Sequence, residues 1–263
     1  MRTDMGETIP RTASADGQLA ELLARRAGML LLEIQRDAGT DLLGSTELRG
    51  SADLQAQEYL TASLRRKRPS DALLVPGVID YPARLAADRL WIVDPLDGSA
   101  EFVEGRPDFA VDVALWEHGE LRAGALALPG LGEVFGTSAP LEVPDRAPGP
   151  LRVAVSRTRP PALPPRVRQN VELAPMGSVG YRIGAVLRGE VDAYVSADPV
   201  SECSAAAGIA LAAAVGLHVS HWDGSELTFN TASAELAHLL VCREEHATWF
   251  VAALSGRTGA GAP

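Results

Sequence analysis

The chain has 263 residues, of which 46% are hydrophobic and 22% charged, an ordinary composition for a soluble fold with one large domain or two smaller lobes. Its formal net charge of −10 argues against a nucleic-acid-binding surface and means that an anionic substrate needs a local positive centre. Two cysteines, Cys203 and Cys242, exclude a disulfide framework and any Cys/His zinc spacing.

Residues 1 to 15 are polar, carry no apolar signal core, and read as a frayed end. From Gln18 to Arg36 the positions Leu19, Leu22, Leu23, Met29, Leu30 and Ile34 keep helical spacing. A second helix is expected from Ser51 to Arg66, with Asp53 in its first turn. The basic run from Arg65 to Ser70 closes that helix, complements its dipole, and reads as solvated surface. Leu73 to Val75 is a short strand stopped by Pro76-Gly77. The segments "LWIV", "FAVDVALW", "LRAGALAL" and "EVFGT" follow, separated by Gly- and Pro-bearing turns, as an antiparallel meander.

Residues 138 to 150 are rich in Pro and lack periodicity, which places a boundary between two lobes, 16–140 and 150–255, with a cleft between them. The second lobe opens with the strand "LRVAVS" and a helix around Pro165 to Asn170. A helix from about Ser178 to Arg188, stopped by Gly189, precedes a strand from Ala193 to Ser196. An Ala-rich helix from Ser204 to Val215, C-capped by Gly216, leads to the strand "LHVS". Alternating helices and strands make this lobe α/β. No apolar run approaches the roughly 18 residues of a membrane-spanning helix, so neither membrane nor nucleic acid is an expected partner, and a reducing cytoplasm is the expected setting.

The stretch "RLWIVDPLDGSAEF", residues 89 to 102, carries the chemistry. An apolar strand should end at Asp94, because Pro95 forbids further ladder pairing. Asp97-Gly98-Ser99 then forms a tight turn that opens a helix. Two carboxylates and two backbone N–H groups would converge, as in a site holding a divalent cation against a phosphate. The competing reading is a common Asp-Gly turn with Asp94 as a cap.

This stretch resembles the signature of the inositol monophosphatase superfamily, the lithium-sensitive, Mg²⁺-dependent phosphatases. Within it, the chain resembles the bacterial 3′(2′),5′-bisphosphate nucleotidase branch. The resemblance continues through "DFAVDVALW", "LRVAVSRTRPP", "GSVGYRIGAVLRGEVDAYV" and "GLHVSHWDGSELTFN", most of residues 18 to 245. It implies a layered α/β/α/β/α sandwich. It also implies that Asp94, Asp97 and the Leu96 carbonyl ligate metal, and that Gly98 and Ser99 hold a phosphate oxygen. By the same resemblance the Ser99 hydroxyl, Asp53 and Asp97 serve the attacking water. Gly177, Ser178, Arg182, Glu202, Cys203 and Ser204 would lie against a small-molecule substrate.

Two positions depart from that pattern. Pro76 and Gly77 stand where the family carries a Glu-Glu pair, and Ser204, after Cys203, stands where it carries a metal-binding Asp after Trp. Asp80 and Glu202 are the nearby acids that could substitute. The expectation is therefore a divergent member turned to a different reaction on a small anionic, nucleotide-like or sugar-like substrate, with weak or absent family activity. The alternatives are a genuine single-metal phosphatase acting on adenosine 3′,5′-bisphosphate or inositol phosphate, and a non-catalytic binding protein. Weakly held Mg²⁺ and no cofactor at all are equally open, and so is a homodimer. Cys203 is either a nucleophile or, more simply, a small buried apolar residue. His118, His218 and His221 have no acidic partner in local spacing.

Overall fold

The computed structural model describes residues 13–39, 45–77, 82–145 and 148–256. Helices α1 (Ala13–Ala38) and α2 (Thr46–Lys67) come first. On α1, Leu19, Leu23, Ala27 and Leu31 recur along one stripe and are fully buried. On α2 the buried row is Ala52, Ala56, Leu60 and Leu64, at intervals of four. Both helices begin earlier than the apolar spacing suggests. The Ser45 hydroxyl accepts from the Leu48 amide at 3.0 Å and caps α2, so a polar cap rather than an apolar residue fixes its start.

These helices cover one face of a five-stranded sheet in the order β1-β2-β3-β4-β5, formed by β1 (Ala72–Leu74), β2 (Arg89–Asp97), β3 (Ala110–Glu117), β4 (Glu120–Leu128) and β5 (Glu133–Gly136). Strand β1 runs parallel to β2, and the rest form the expected antiparallel meander. A short helix, α3 (Ser99–Val103), follows β2.

A second five-stranded sheet has the order β10-β12-β8-β6-β7. Its parallel part is β6 (Leu151–Ser156), β7 (Val171–Met176) and β8 (Ala193–Val195). Strands β10 (His218–His221) and β12 (Leu239–Cys242) extend it antiparallel. Helices α5 (Val179–Leu187) and α6 (Glu202–Ala214) lie between the two sheets. Every residue of α6 from Glu202 to Ala212 is buried, which its run of Ala side chains permits at close range. Helices α4 (Pro165–Arg168) and α7 (Glu244–Leu254) cover the outer face of the second sheet. The result is five layers, helices alternating with sheets. A small ladder pairs β9 (Val200–Ser201) with β11 (Glu235–Leu236). Among the described residues no helix is long and apolar enough to cross a membrane.

One surface expectation fails. Arg68, at the end of the basic run, is buried, with only 1% of its side chain exposed. Its guanidinium donates to Asp16 on α1 at 2.6 and 2.8 Å. Asp16 also accepts from Arg89 at 2.8 Å, and Arg89 reaches Asp71 and Glu117. Helix pairing therefore pulled one member of a charge run inward, while Arg65 and Arg66 stay exposed. Removing one member of a buried ionic group strands its partners. Asp16→Ala should lower the unfolding free energy by about 3–5 kcal/mol in urea titration, whereas Arg66→Ala should leave it within about 0.5 kcal/mol.

Candidate active site

Strand β2 does not stop at Asp94. Its pairing with β3 matches Asp94 to Asp112, slips, and resumes with Asp97 opposite Ala110. The irregularity absorbs Pro95, which has no N–H to offer the ladder, so the strand continues to Asp97. Gly98 then turns with φ of 85°, a left-handed conformation that suits glycine, and α3 begins at Ser99. The bulge thus brings two carboxylates three residues apart to the edge of one cleft.

Both are almost wholly buried, Asp94 at 7% and Asp97 at 8% exposure. Asp94 accepts from the Ser204 hydroxyl at 2.6 Å and from the Leu96 amide at 3.2 Å. Asp97 accepts from the Gly180 amide, in the first turn of α5, at 2.6 Å. Burial pushes the Asp94 carboxyl above its ordinary range, against the Ser204 and Leu96 hydrogen bonds, and the charge of Asp53 adds to the rise. Asp97 is raised too, first by burial and then by Asp94, while Gly180 and Arg182 pull the other way. Asp53 itself stands exposed on α2, its carboxyl raised by partial burial.

Asp112 is the residue that the sequence reading passed over. It lies on β3 directly across from Asp94 and is completely buried. Among the described residues neither of its carboxylate oxygens has a hydrogen-bond partner. Burial, then Asp97, then Asp94 raise it well above the carboxylate range. An Asp inside the otherwise apolar run "FAVDVALW" was the available signal.

The cleft has a volume of about 340 Å³. Asp97, Gly98, Ser99, Gly177, Ser178, Arg182 and Ser204 all line it. Ser178 caps α5 by accepting from the Tyr181 amide at 3.1 Å. Arg182 donates from Nε to the Ser178 carbonyl at 3.0 Å, and its guanidinium sits 4.8 Å from the centre of the Tyr194 ring. An Arg held in this way presents a fixed positive centre in an acidic protein.

Two expected substrate contacts do not reach the cleft. Glu202 is fully buried, and its carboxylate accepts from the amides of Asn230 at 2.8 Å and Thr231 at 2.9 Å and from the Thr231 hydroxyl at 2.7 Å. It clamps a loop to the start of α6, so it cannot replace a missing ligand. Cys203 packs with Leu74, Leu90 and Ile92, and burial raises its thiol, the opposite of an activated nucleophile. Asp80 lies outside the described residues, and Pro76-Gly77 is exposed just beyond β1. His118 is exposed in the β3–β4 turn, and His218 and His221 lie on β10, away from the cleft lining.

Asp94 and Asp97 are the carboxylates here that a divalent cation could use, and the buried, unpartnered Asp112 lies beside them on β3. Among the described residues no group of three or more Asp, Glu, His or Cys side chains is placed so that it could hold a metal ion. Asp94 and Asp97 are instead each turned toward a protein donor.

The inositol monophosphatase family model matches residues 11–142. The chain belongs to the inositol monophosphatase family. A Mycobacterium bovis protein named 3′-phosphoadenosine 5′-phosphate phosphatase is 41% identical over 240 residues, 87% of this chain and 89% of the relative. The protein of that name from Mycobacterium leprae is 38% identical, covering 88% and 90%. The 3′(2′),5′-bisphosphate nucleotidase CysQ of Escherichia coli K12 is 29% identical over 68% of this chain and 78% of its own length. Among solved structures, CysQ from Bacteroides thetaiotaomicron superposes with a TM-score of 0.74 at 24% identity, covering 88% of this chain and 98% of its own. That likeness matches the five-layer fold.

The raised Asp97 has a measurable consequence. A carboxyl whose folded value exceeds its unfolded value of about 3.9 contributes its full stability at low pH. That contribution is lost as pH rises from about 4 through neutrality, as the buried group is forced to ionise. In cation-free buffer, the melting temperature of Asp97→Asn minus that of the unmodified protein should therefore grow as pH increases from 4 to 8. Scanning calorimetry across that range measures it.

Proposed function

We propose that the protein is a phosphatase that removes the 3′-phosphate from a bisphosphorylated adenosine nucleotide of the 3′-phosphoadenosine 5′-phosphate type. The relatives named for that activity match nearly their whole length, and they favour this reading over a family fold turned to a different reaction. The observation in the chain itself that carries it is the buried pair Asp94 and Asp97, of which Asp97 lines a cleft that also contains Arg182, and Asp94 bonds to the cleft residue Ser204. A volume of about 340 Å³ lies at the small end of the range for ligand sites and suits a single nucleotide, not a polymer.

The reaction is attack of water on phosphorus, with cleavage of the P–O bond to the ribose oxygen and protonation of that oxygen as it leaves. Asp94, Asp97 and the Leu96 carbonyl are the groups that would hold a divalent cation, which when bound supplies positive charge against the phosphate and lowers the pKa of water. Arg182, close to Asp97 in the same cleft, binds the substrate anion, its direction fixed by the Ser178 carbonyl. Ser99, which lines the cleft, and Asp53, whose charge reaches Asp94, orient the water. Partial burial raises Asp53 toward the range in which a carboxylate accepts a proton efficiently. Gly98 and Ser99 line the cleft where the phosphate would rest.

Phosphate release from 3′-phosphoadenosine 5′-phosphate in saturating Mg²⁺ tests the proposal, with inositol 1-phosphate as the comparison. The nucleotide should be hydrolysed faster than the inositol ester. Asp97→Asn should lower kcat by about a hundredfold or more, the scale of a lost group in the reacting site, with an unchanged circular dichroism spectrum. No release from the nucleotide, together with tight binding of it, would instead support a binding protein.

A further inference from the structure

We propose that Arg159 binds the phosphate that is not cleaved, and so makes the cleft selective for a bisphosphorylated nucleotide over a monophosphate. The inference rests on the phosphatase reading above and extends it to the second phosphate. A 3′,5′-bisphosphate brings two anionic groups into a protein whose formal net charge is −10. Each needs its own positive centre. Among the residues that line the cleft, the cationic side chains are Arg159 and Arg182. The charge of Arg182 reaches Asp97, so Arg182 serves the phosphate at the reacting end.

The turn after β6 holds the backbone of Arg159 and leaves its side chain uncommitted. The Arg157 amide donates to the Met176 carbonyl at 2.9 Å, and the Arg159 amide donates to the Ser156 hydroxyl at 3.1 Å. Pro160 and Pro161 come next, and their rings fix φ where the turn ends. The neighbouring arginines are already engaged. Arg157 donates to Glu101 at 2.8 Å and to Glu104 at 3.1 Å, and Arg106 donates to Asp108 at 2.8 Å. Among the described residues the exposed guanidinium of Arg159 has no ion-pair or hydrogen-bond partner.

That free cation belongs to the cleft. Arg159 lines the same space as Asp97, Ser99 and Arg182. Its charge also reaches Tyr194 in that lining: burial raises the Tyr194 hydroxyl, and Arg182 and then Arg159 oppose the rise. The Arg182 guanidinium sits 4.8 Å from the centre of the Tyr194 ring. Both guanidiniums therefore stand near one tyrosine, Arg182 from α5 and Arg159 from the turn after β6. The remaining acids of the lining do not neutralise Arg159. Glu101 is held by Arg157, and Asp198 makes no ion pair with Arg159. A guanidinium with five donors and no partner suits a phosphate group.

The test compares nucleotides that differ by one phosphate, on the full chain. Arg159→Gln should raise KM for 3′-phosphoadenosine 5′-phosphate by about tenfold or more, the scale of a lost charge-assisted hydrogen bond, with kcat within about twofold. For adenosine 3′-monophosphate, which lacks the second phosphate, KM should not change. Calorimetry with adenosine 5′-monophosphate, the product that keeps that phosphate, should show the same loss of affinity. Arg159→Lys should recover part of it. Arg168→Gln, an equal change of charge at an exposed position outside the cleft lining, should alter none of these values. An equal loss for both substrates would make Arg159 a general attractor of anions and would overturn the inference. So would no loss for either, or no binding of adenosine 5′-monophosphate to the unmodified protein. Nucleotide binding that depends on Arg159, without phosphate release, would sink the phosphatase reading and leave the phosphate contact standing. Release that Arg159→Gln leaves unchanged would do the reverse.

Discussion

Like charge buried in the middle of the molecule is the constraint around which the rest is arranged. Asp94, Asp97 and Asp112 lie side by side on two adjacent strands with little or no contact with water. In a low-dielectric interior such a group opposes folding unless protons, donors or a cation offset it. Each neighbouring element supplies some part of that offset. The bulge after Asp94 separates the first two carboxylates, α6 contributes a hydroxyl from Ser204, and α5 contributes an amide from Gly180. Arg182 adds positive charge near Asp97.

A five-layer architecture suits this arrangement because its central helices meet both sheets. Helix α5 begins at Ser178, beside the cleft, and packs its buried side into the core that both sheets share. Helix α6 brings Ser204 to Asp94 from residues far along the chain, and Glu202 anchors the loop that would otherwise be free beside it. The cleft is thus assembled from segments before and after the Pro-rich stretch at 138–150.

Much of this was legible in the sequence, for reasons that can be named. The motif at Asp94 to Ser99 was readable because Pro, Gly and two Asp residues after an apolar strand leave few backbone options. The meander and the helix pair follow from periodicity. Strand β7 was not visible, since "VELAPM" contains a Pro that only an edge position tolerates, and β7 lies at the sheet edge. The run "LLVC" and the helix α7 did carry signals, an apolar tetrad and Glu244-Glu245 in a first turn, but no motif drew attention to them. Glu202 was misplaced because sequence spacing gives no direction to a side chain at a helix start. Arg68 was misread because a basic run looks alike whether or not one member has a buried partner.

The ionic group at Asp16 bears on where this fold begins. Asp16 sits in the first turn of α1, before the helix reaches its apolar stripe, yet it is the shared acceptor for Arg68 and Arg89. Shortening the chain past that residue would remove almost no hydrophobic contact and would leave two guanidinium groups facing the interior. The minimal N-terminal boundary of an independently folding fragment is therefore set by charge balance, upstream of Leu19, rather than by the first residue of the hydrophobic core.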